Sequence, residues 1–235
     1  VAEGELPRTL HREDLQRILS IFAQLVEGLG ALHDRGIVHR DLKPSNIFIR
    51  GGVPVVVDFG IRVPYCGKSH RERLSVIDRE SIEGTPLYMA PEQVRGELID
   101  ARADLYAVGC MLYEALTGQH PFRAPTAQGI LVGHLDRTPE PLSTRVRGVP
   151  AALEALVEGL LTKEPMRRMG PADRVSRRVR QVAAQDEGAA PEAEGDRAPV
   201  ERLYRPRFLG RRALLEEMDA QLVDGTSGAA SCGTF

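Results

Sequence analysis

The chain has 235 residues, 42% of them apolar, and 31 basic side chains against 33 acidic ones for a formal net charge of -2. That apolar content is enough to bury a core and excludes wholesale disorder. The near-neutral balance supplies no global field to draw the chain onto nucleic acid or an anionic membrane, so local chemistry must carry any function.

The first predicted element is a helix. Apolar residues at 15, 18, 19, 22, 25, 26, 29 and 32 follow the i, i+3, i+4, i+7 rhythm of one buried face. Gly36 supplies a left-handed residue after its end, and Gly28 and Gly30 inside it require tertiary packing for support. The acidic and basic residues Glu3, Glu5 and Arg8 rule out a signal-peptide core ahead of it. Two β-rich runs come next, residues 47–49 and 53–57, joined by Arg50-Gly51-Gly52 as a hairpin. Residues 61–84 have no sustained period and form a long irregular connection, of a length that is either functional or disordered.

A helix apolar nearly all round is predicted at about 102–117, with further helices near 126–135 and 151–162. No stretch reaches the roughly 18 uninterrupted apolar residues of a membrane span. Its nearest approach, 103–116, carries Asp104 and Glu114 and reads as a buried helix. Composition shifts after residue 170: Arg174, Arg177, Arg178 and Arg180 precede an Ala/Glu/Pro/Gly stretch that reads as a disordered linker over 176–206. That basic run is either a frayed helix end or a contact for an acidic partner. An amphipathic pattern returns at 208–222. Three cysteines, Cys66, Cys110 and Cys232, are too widely spaced for a C-x-x-C metal pair, and their odd number argues against a disulfide framework. A reducing cytoplasmic location is the expectation.

Three short segments concentrate the chemistry. Residues 39–46 read His-Arg-Asp-Leu-Lys-Pro-Ser-Asn, Asp58-Phe59-Gly60 follows the second predicted strand, and residues 84–92 read Gly-Thr-Pro-Leu-Tyr-Met-Ala-Pro-Glu. Any one aspartate or asparagine among them would read as a turn or cap residue. Together, in this order, they resemble the catalytic loop, the DFG motif and the A-P-E-ending activation segment of eukaryotic-type protein kinases. Residues 121–135 are similar to the bacterial, PknB-like members.

The resemblance implies ATP and Mg²⁺ as cofactors and a protein substrate bearing Ser or Thr. Phosphoryl transfer needs an aimed hydroxyl and cations on the phosphate oxygens more than covalent help. By resemblance Asp41 orients the substrate hydroxyl and accepts its proton, Asn46 and Asp58 hold the metal, and Lys43 lies against the γ-phosphate. Lys43 and Thr85 match the serine/threonine class rather than the tyrosine class. His39 and Phe59 are expected to pack internally.

Arg40, before the catalytic aspartate, matches kinases whose activation loop is ordered by a phosphorylated side chain, and Ser81, then Ser75, are the candidate acceptors. Asp104 matches the aspartate that anchors the catalytic loop, and Glu92 and Arg168 match a buried ion pair.

The resemblance over residues 1–175 is to the carboxy-terminal lobe, a mainly α fold with a small β-hairpin. No Gly-rich loop, strand lysine or partner glutamate precedes Asp41, so the expected kinase domain lacks its amino-terminal lobe, and this polypeptide alone is expected to be inactive. Residues 207–215 are similar to the start of AAA-like, signal-transduction ATPase domains, which makes 207–235 the truncated beginning of a second domain. Two rival readings are a non-catalytic pseudokinase scaffold, opposed by the presence of Asp41, Asn46 and Asp58, and a small-molecule phosphotransferase, opposed by the long activation segment.

Overall fold

The computed structural model of the chain describes residues 7–58 and 85–186. All of them belong to Val1–Ala198, the first of the two units into which the chain divides. In chain order the elements are β1 (Arg8–Thr9), α1 (Arg12–His33), β2 (Ile47–Arg50), β3 (Val53–Val56), α2 (Pro91–Arg95), α3 (Arg102–Thr117), α4 (Ala127–Asp136), α5 (Leu142–Arg145), β4 (Val146–Arg147), α6 (Ala151–Leu160) and α7 (Ala172–Asp186). Short 3-10 helices occupy Pro44–Asn46, Thr85–Tyr88 and Pro165–Arg167. The described chain is thus mainly helical, with two two-stranded sheets: the expected antiparallel hairpin β2–β3, pairing Ile47 with Val56, and a parallel β1–β4 pair.

The core is built on α3. Its sequence is apolar on every side because α1, α5 and α6 all pack around it, and Leu105, Tyr106, Val108, Cys110, Leu112 and Leu116 are buried. Close approach of α6 explains a glycine inside α3, since a Cβ at Gly109 would stand 2.8 Å from Leu160 Cβ. α1 buries the predicted face, from Leu15 and Leu19 to Leu29 and Leu32, and Gly36 takes φ +72 just beyond its end. Among the described residues α1, rather than the 102–117 segment, is the helix long and apolar enough to cross a membrane by length and composition. Here its apolar side lies in the core.

The expected linker over 176–206 is corrected at its start, because residues 172–186 are helical. The segment is strongly polar on average, which suggested a solvated run. Yet Ala172, Val175, Val179 and Val182 fall on one stripe and are buried against α1. Ser176 Oγ donates to Ala23 O at 3.0 Å, Gln16 Nε2 donates to Ala183 O at 2.9 Å, and Arg180 pairs with Glu27. Residues 187–206, and the proposed second domain at 207–235, lie outside the described residues.

Beneath the 3-10 helix Thr85–Tyr88 sits a buried polar cluster. His134 on α4 is fully buried, with Nδ1 3.0 Å from Tyr106 Oη and its ring 4.9 Å from that of Phe122 in an edge-on contact. The Lys163 ammonium lies 3.8 Å over the Phe122 ring and donates to Gly133 O at 3.1 Å. Burial first, and the Lys163 cation second, push the His134 pKa from 6.5 down to about 3. Burial also pushes Lys163 down to about 8.

An unfolded chain protonates this histidine near its ordinary pKa, whereas the folded chain does not until far lower pH. In that window the unfolded state binds more protons, so stability falls as pH falls. The melting temperature should therefore drop between pH 7 and pH 4, and drop less in His134→Phe than in the wild type. Equal drops by calorimetry would contradict this assignment.

Candidate active site

The loop leaving α1 is fastened to the start of α3 by one carboxylate. Asp104, in the first turn of α3 and 1% exposed, accepts from His39 N at 2.9 Å through Oδ2 and from Arg40 N at 2.8 Å through Oδ1. The His33 ring at the end of α1 reaches the same Oδ2 at 2.9 Å. Hydrogen bonds to an ionised acceptor are among the stronger ones, and here they satisfy a buried charge that would otherwise be costly.

The backbone then takes an uncommon turn. Arg40 has φ +67 and Asp58 φ +52, left-handed values that few non-glycine residues adopt and that persist only where surroundings over-determine them. His39 supplies part of that determination. Its Nδ1 accepts from Asp41 N at 3.3 Å while Nε2, 3.0 Å from Val57 O, must be the protonated nitrogen. The ring expected to act as packing is thus also a bridge between the loop after α1 and the residue preceding Asp58. Asn46, at the end of the 3-10 helix Pro44–Asn46, is buried and donates from Nδ2 to Asp41 O at 2.8 Å, and Val57 N donates to Asn46 O at 2.9 Å. Lys43 Nζ lies 3.2 Å from Asp41 Oδ2, both side chains partly exposed. Asp58, which follows Val57, is exposed. Backbone and side-chain bonds therefore draw the Asp41, Asn46 and Val57–Asp58 segments together.

The segment that ends in Ala90-Pro91-Glu92 stands opposite. Tyr88 donates its hydroxyl to Glu114 Oε2 at 2.6 Å and packs its ring edge-on against His120. Burial and the Glu114 carboxylate push that phenol upward, so it stays a donor. Glu92 and Arg168 form a two-pronged ion pair at 2.6 and 2.8 Å with side chains 1% and 0% exposed. Arg168 also donates to Arg102 O at 2.7 Å and Thr162 O at 3.0 Å, and stacks over the Tyr106 ring. A shallow depression lies between Asp41 and Leu42 of the loop and Tyr88, Met89 and Gln93.

Thr85 opens the 3-10 helix Thr85–Tyr88. Ser75, Ser81, Phe59 and Gly60 lie outside the described residues. Sequence reasoning missed His33, Tyr88, Gln93 and Glu114. Only Gln93 left a local signal, as the third residue after the N-cap of α2, where a capping-box side chain belongs.

The family described as protein kinase domain matches residues 2–179. The chain belongs to the protein kinase family. Among curated relatives it is similar to the serine/threonine-protein kinase PknB of Mycobacterium tuberculosis, at 38% identity over 154 residues, 65% of this chain and 24% of the relative. Pkn1 of Myxococcus xanthus is 43% identical over 153 residues, 63% and 21% of the two chains, and PksC of Streptomyces coelicolor 37% over 176 residues, 74% and 31%. The chain thus matches about a quarter of the length of these bacterial serine/threonine kinases.

Within this kinase fold the Glu92–Arg168 pair is a structural bond, and removing one partner strands a buried charge. Arg168→Ala should lower unfolding free energy in urea by about 3–5 kcal/mol. A loss under about 1 kcal/mol would mean that the pair is replaced by solvent or another partner.

Proposed function

We propose that the chain provides the catalytic lobe of a serine/threonine protein kinase, which transfers the γ-phosphate of ATP to a protein hydroxyl. The observation that carries this reading is the held geometry of Asp41: its peptide N–H, its carbonyl and its carboxylate each meet a different partner, His39, Asn46 and Lys43. A rigidly presented carboxylate is what aiming a hydroxyl demands. In the proposed step Asp41 accepts the proton of the substrate hydroxyl, whose oxygen bonds to the γ-phosphorus. The bond from that phosphorus to the β–γ bridging oxygen breaks, and ADP leaves with the electron pair. Lys43, beside Asp41, contributes a point charge for the transferred group.

The donor set fits Mg²⁺. Asn46 commits Nδ2 to the loop, which leaves its carbonyl oxygen for a hard cation, and Asp58 offers an exposed carboxylate on a strained backbone. When bound, the metal would neutralise charge on the phosphate oxygens. Lys43, Thr85 and the similarity to bacterial serine/threonine kinases support Ser or Thr as acceptor.

In the full-length protein, Asp41→Asn should reduce transfer from ATP and Mg²⁺ to a basic Ser/Thr-containing protein by about 10²–10⁴-fold. An undiminished rate would sink the reading.

Regulation by phosphorylation at Ser81, with Ser75 second, belongs to the same proposal. Its support is Arg40, whose Nε is buried and makes no hydrogen bond among the described residues, as a group awaiting an anion would. Phosphopeptide mapping of the active full-length protein should find Ser81 modified; full activity with Ser81 and Ser75 both bare would rule this out.

A further inference from the structure

We propose that Gln93 is a positioning residue for Asp41, coupling the segment that ends in Ala90-Pro91-Glu92 to the catalytic loop; this rests on the kinase reading above. Gln93 makes two hydrogen bonds in opposite directions. Its Oε1 accepts from Ala90 N at 3.0 Å, and its Nε2 donates to Arg40 O at 2.6 Å. The partners leave no freedom in the amide's orientation, since a carbonyl needs a donor and an N–H needs an acceptor.

The Arg40 carbonyl belongs to the peptide plane that precedes Asp41. Because Arg40 sits at φ +67, outside the regular regions, no helix or sheet ladder serves this plane. Side chains hold it instead: His39 takes its N–H end, at Asp41 N, and Gln93 takes its carbonyl end. The plane after Asp41 is held by Asn46 through Asp41 O. Two planes with three side-chain anchors fix the Cα of Asp41, and hence the direction of its carboxylate. His39 and Asn46 are part of the catalytic loop itself. Gln93 alone of the three comes from the far side of the depression that separates Asp41 from Tyr88 and Met89.

The two bonds of Gln93 separate in their consequences. The bond to Ala90 N satisfies one of the free donors at the start of α2, which is ordinary helix capping. The bond to Arg40 O does nothing for α2 and acts only on the loop. Gln93 thereby transmits the position of the Ala90 backbone to the aspartate.

Two variants isolate the loop bond. Gln93→Glu keeps an acceptor for Ala90 N and removes the donor to Arg40 O; Gln93→Met keeps side-chain length and removes both. In the full-length protein both should lower kcat about tenfold with KM for ATP unchanged. Gln93→Glu should keep a melting temperature near the wild type. A wild-type kcat in Gln93→Met would overturn the proposal, since the effect in Gln93→Glu would then come from the added charge. Amide hydrogen exchange over residues 39–43 gives a readout without turnover: it should quicken in both variants, and unchanged exchange would overturn the proposal. Absence of transfer by the wild type would count against the kinase reading alone, with exchange still deciding the role of Gln93.

Discussion

One buried carboxylate organises this molecule. Asp104 sits at the start of the most buried helix, and its two oxygens take the backbone N–H groups of His39 and Arg40 together with the ring of His33. The loop after α1 therefore hangs from the centre of the core rather than from its own turns. Everything downstream depends on that suspension: the left-handed turn at Arg40, the His39 bridge to Val57, and the Asn46 bond to Asp41 O. A charge in such a place is expensive unless each lone pair is engaged. Here the engagement is with the backbone of the loop after α1, so the cost of burying the charge is offset by the order it imposes.

The same logic recurs one layer out. Glu92 and Arg168 tie the segment ending in Ala90-Pro91-Glu92 to the segment after α6, while Tyr88 and Glu114 tie the same segment to α3. Buried polar networks of this kind are weak arguments for net stability and strong ones for a single arrangement, because any alternative leaves a charge unpaired. For the phosphoryl transfer proposed above a single arrangement is what matters, since such a step asks the protein to aim groups and not to react with them. The left-handed φ values at Arg40 and Asp58 mark backbone that persists only where its surroundings over-determine it.

Much of the fold was legible in the sequence. Long periodic helices such as α1 and α3 announce themselves because one face or all faces must be apolar, and the hairpin is announced by two β-rich runs around Gly51-Gly52. α7 was not legible: four small apolar residues are outweighed by arginines in any average, and only the presence of α1 turns that thin stripe into a core face. The parallel β1–β4 pair joins two-residue strands from distant parts of the chain, too short for a pattern. At the site the acids and amides were readable as residue types in order. Their fastenings through His33 and Gln93 were not, because a hydrogen bond to a carboxylate 71 residues away or to a backbone carbonyl 53 residues away leaves no trace in local spacing.

We propose that the loop fixed by Asp104 presents Asp41, Asn46 and Asp58 to one nucleotide. A crystal structure of the full-length protein with Mg²⁺ and a non-hydrolysable ATP analogue tests it most directly. The expected result is the metal on the Asn46 and Asp58 oxygens, with the Asp41 carboxylate facing the terminal phosphate and Asp104 still bonded to the His39 and Arg40 amides. Nucleotide bound elsewhere, or a metal ligated without Asn46 and Asp58, would contradict it.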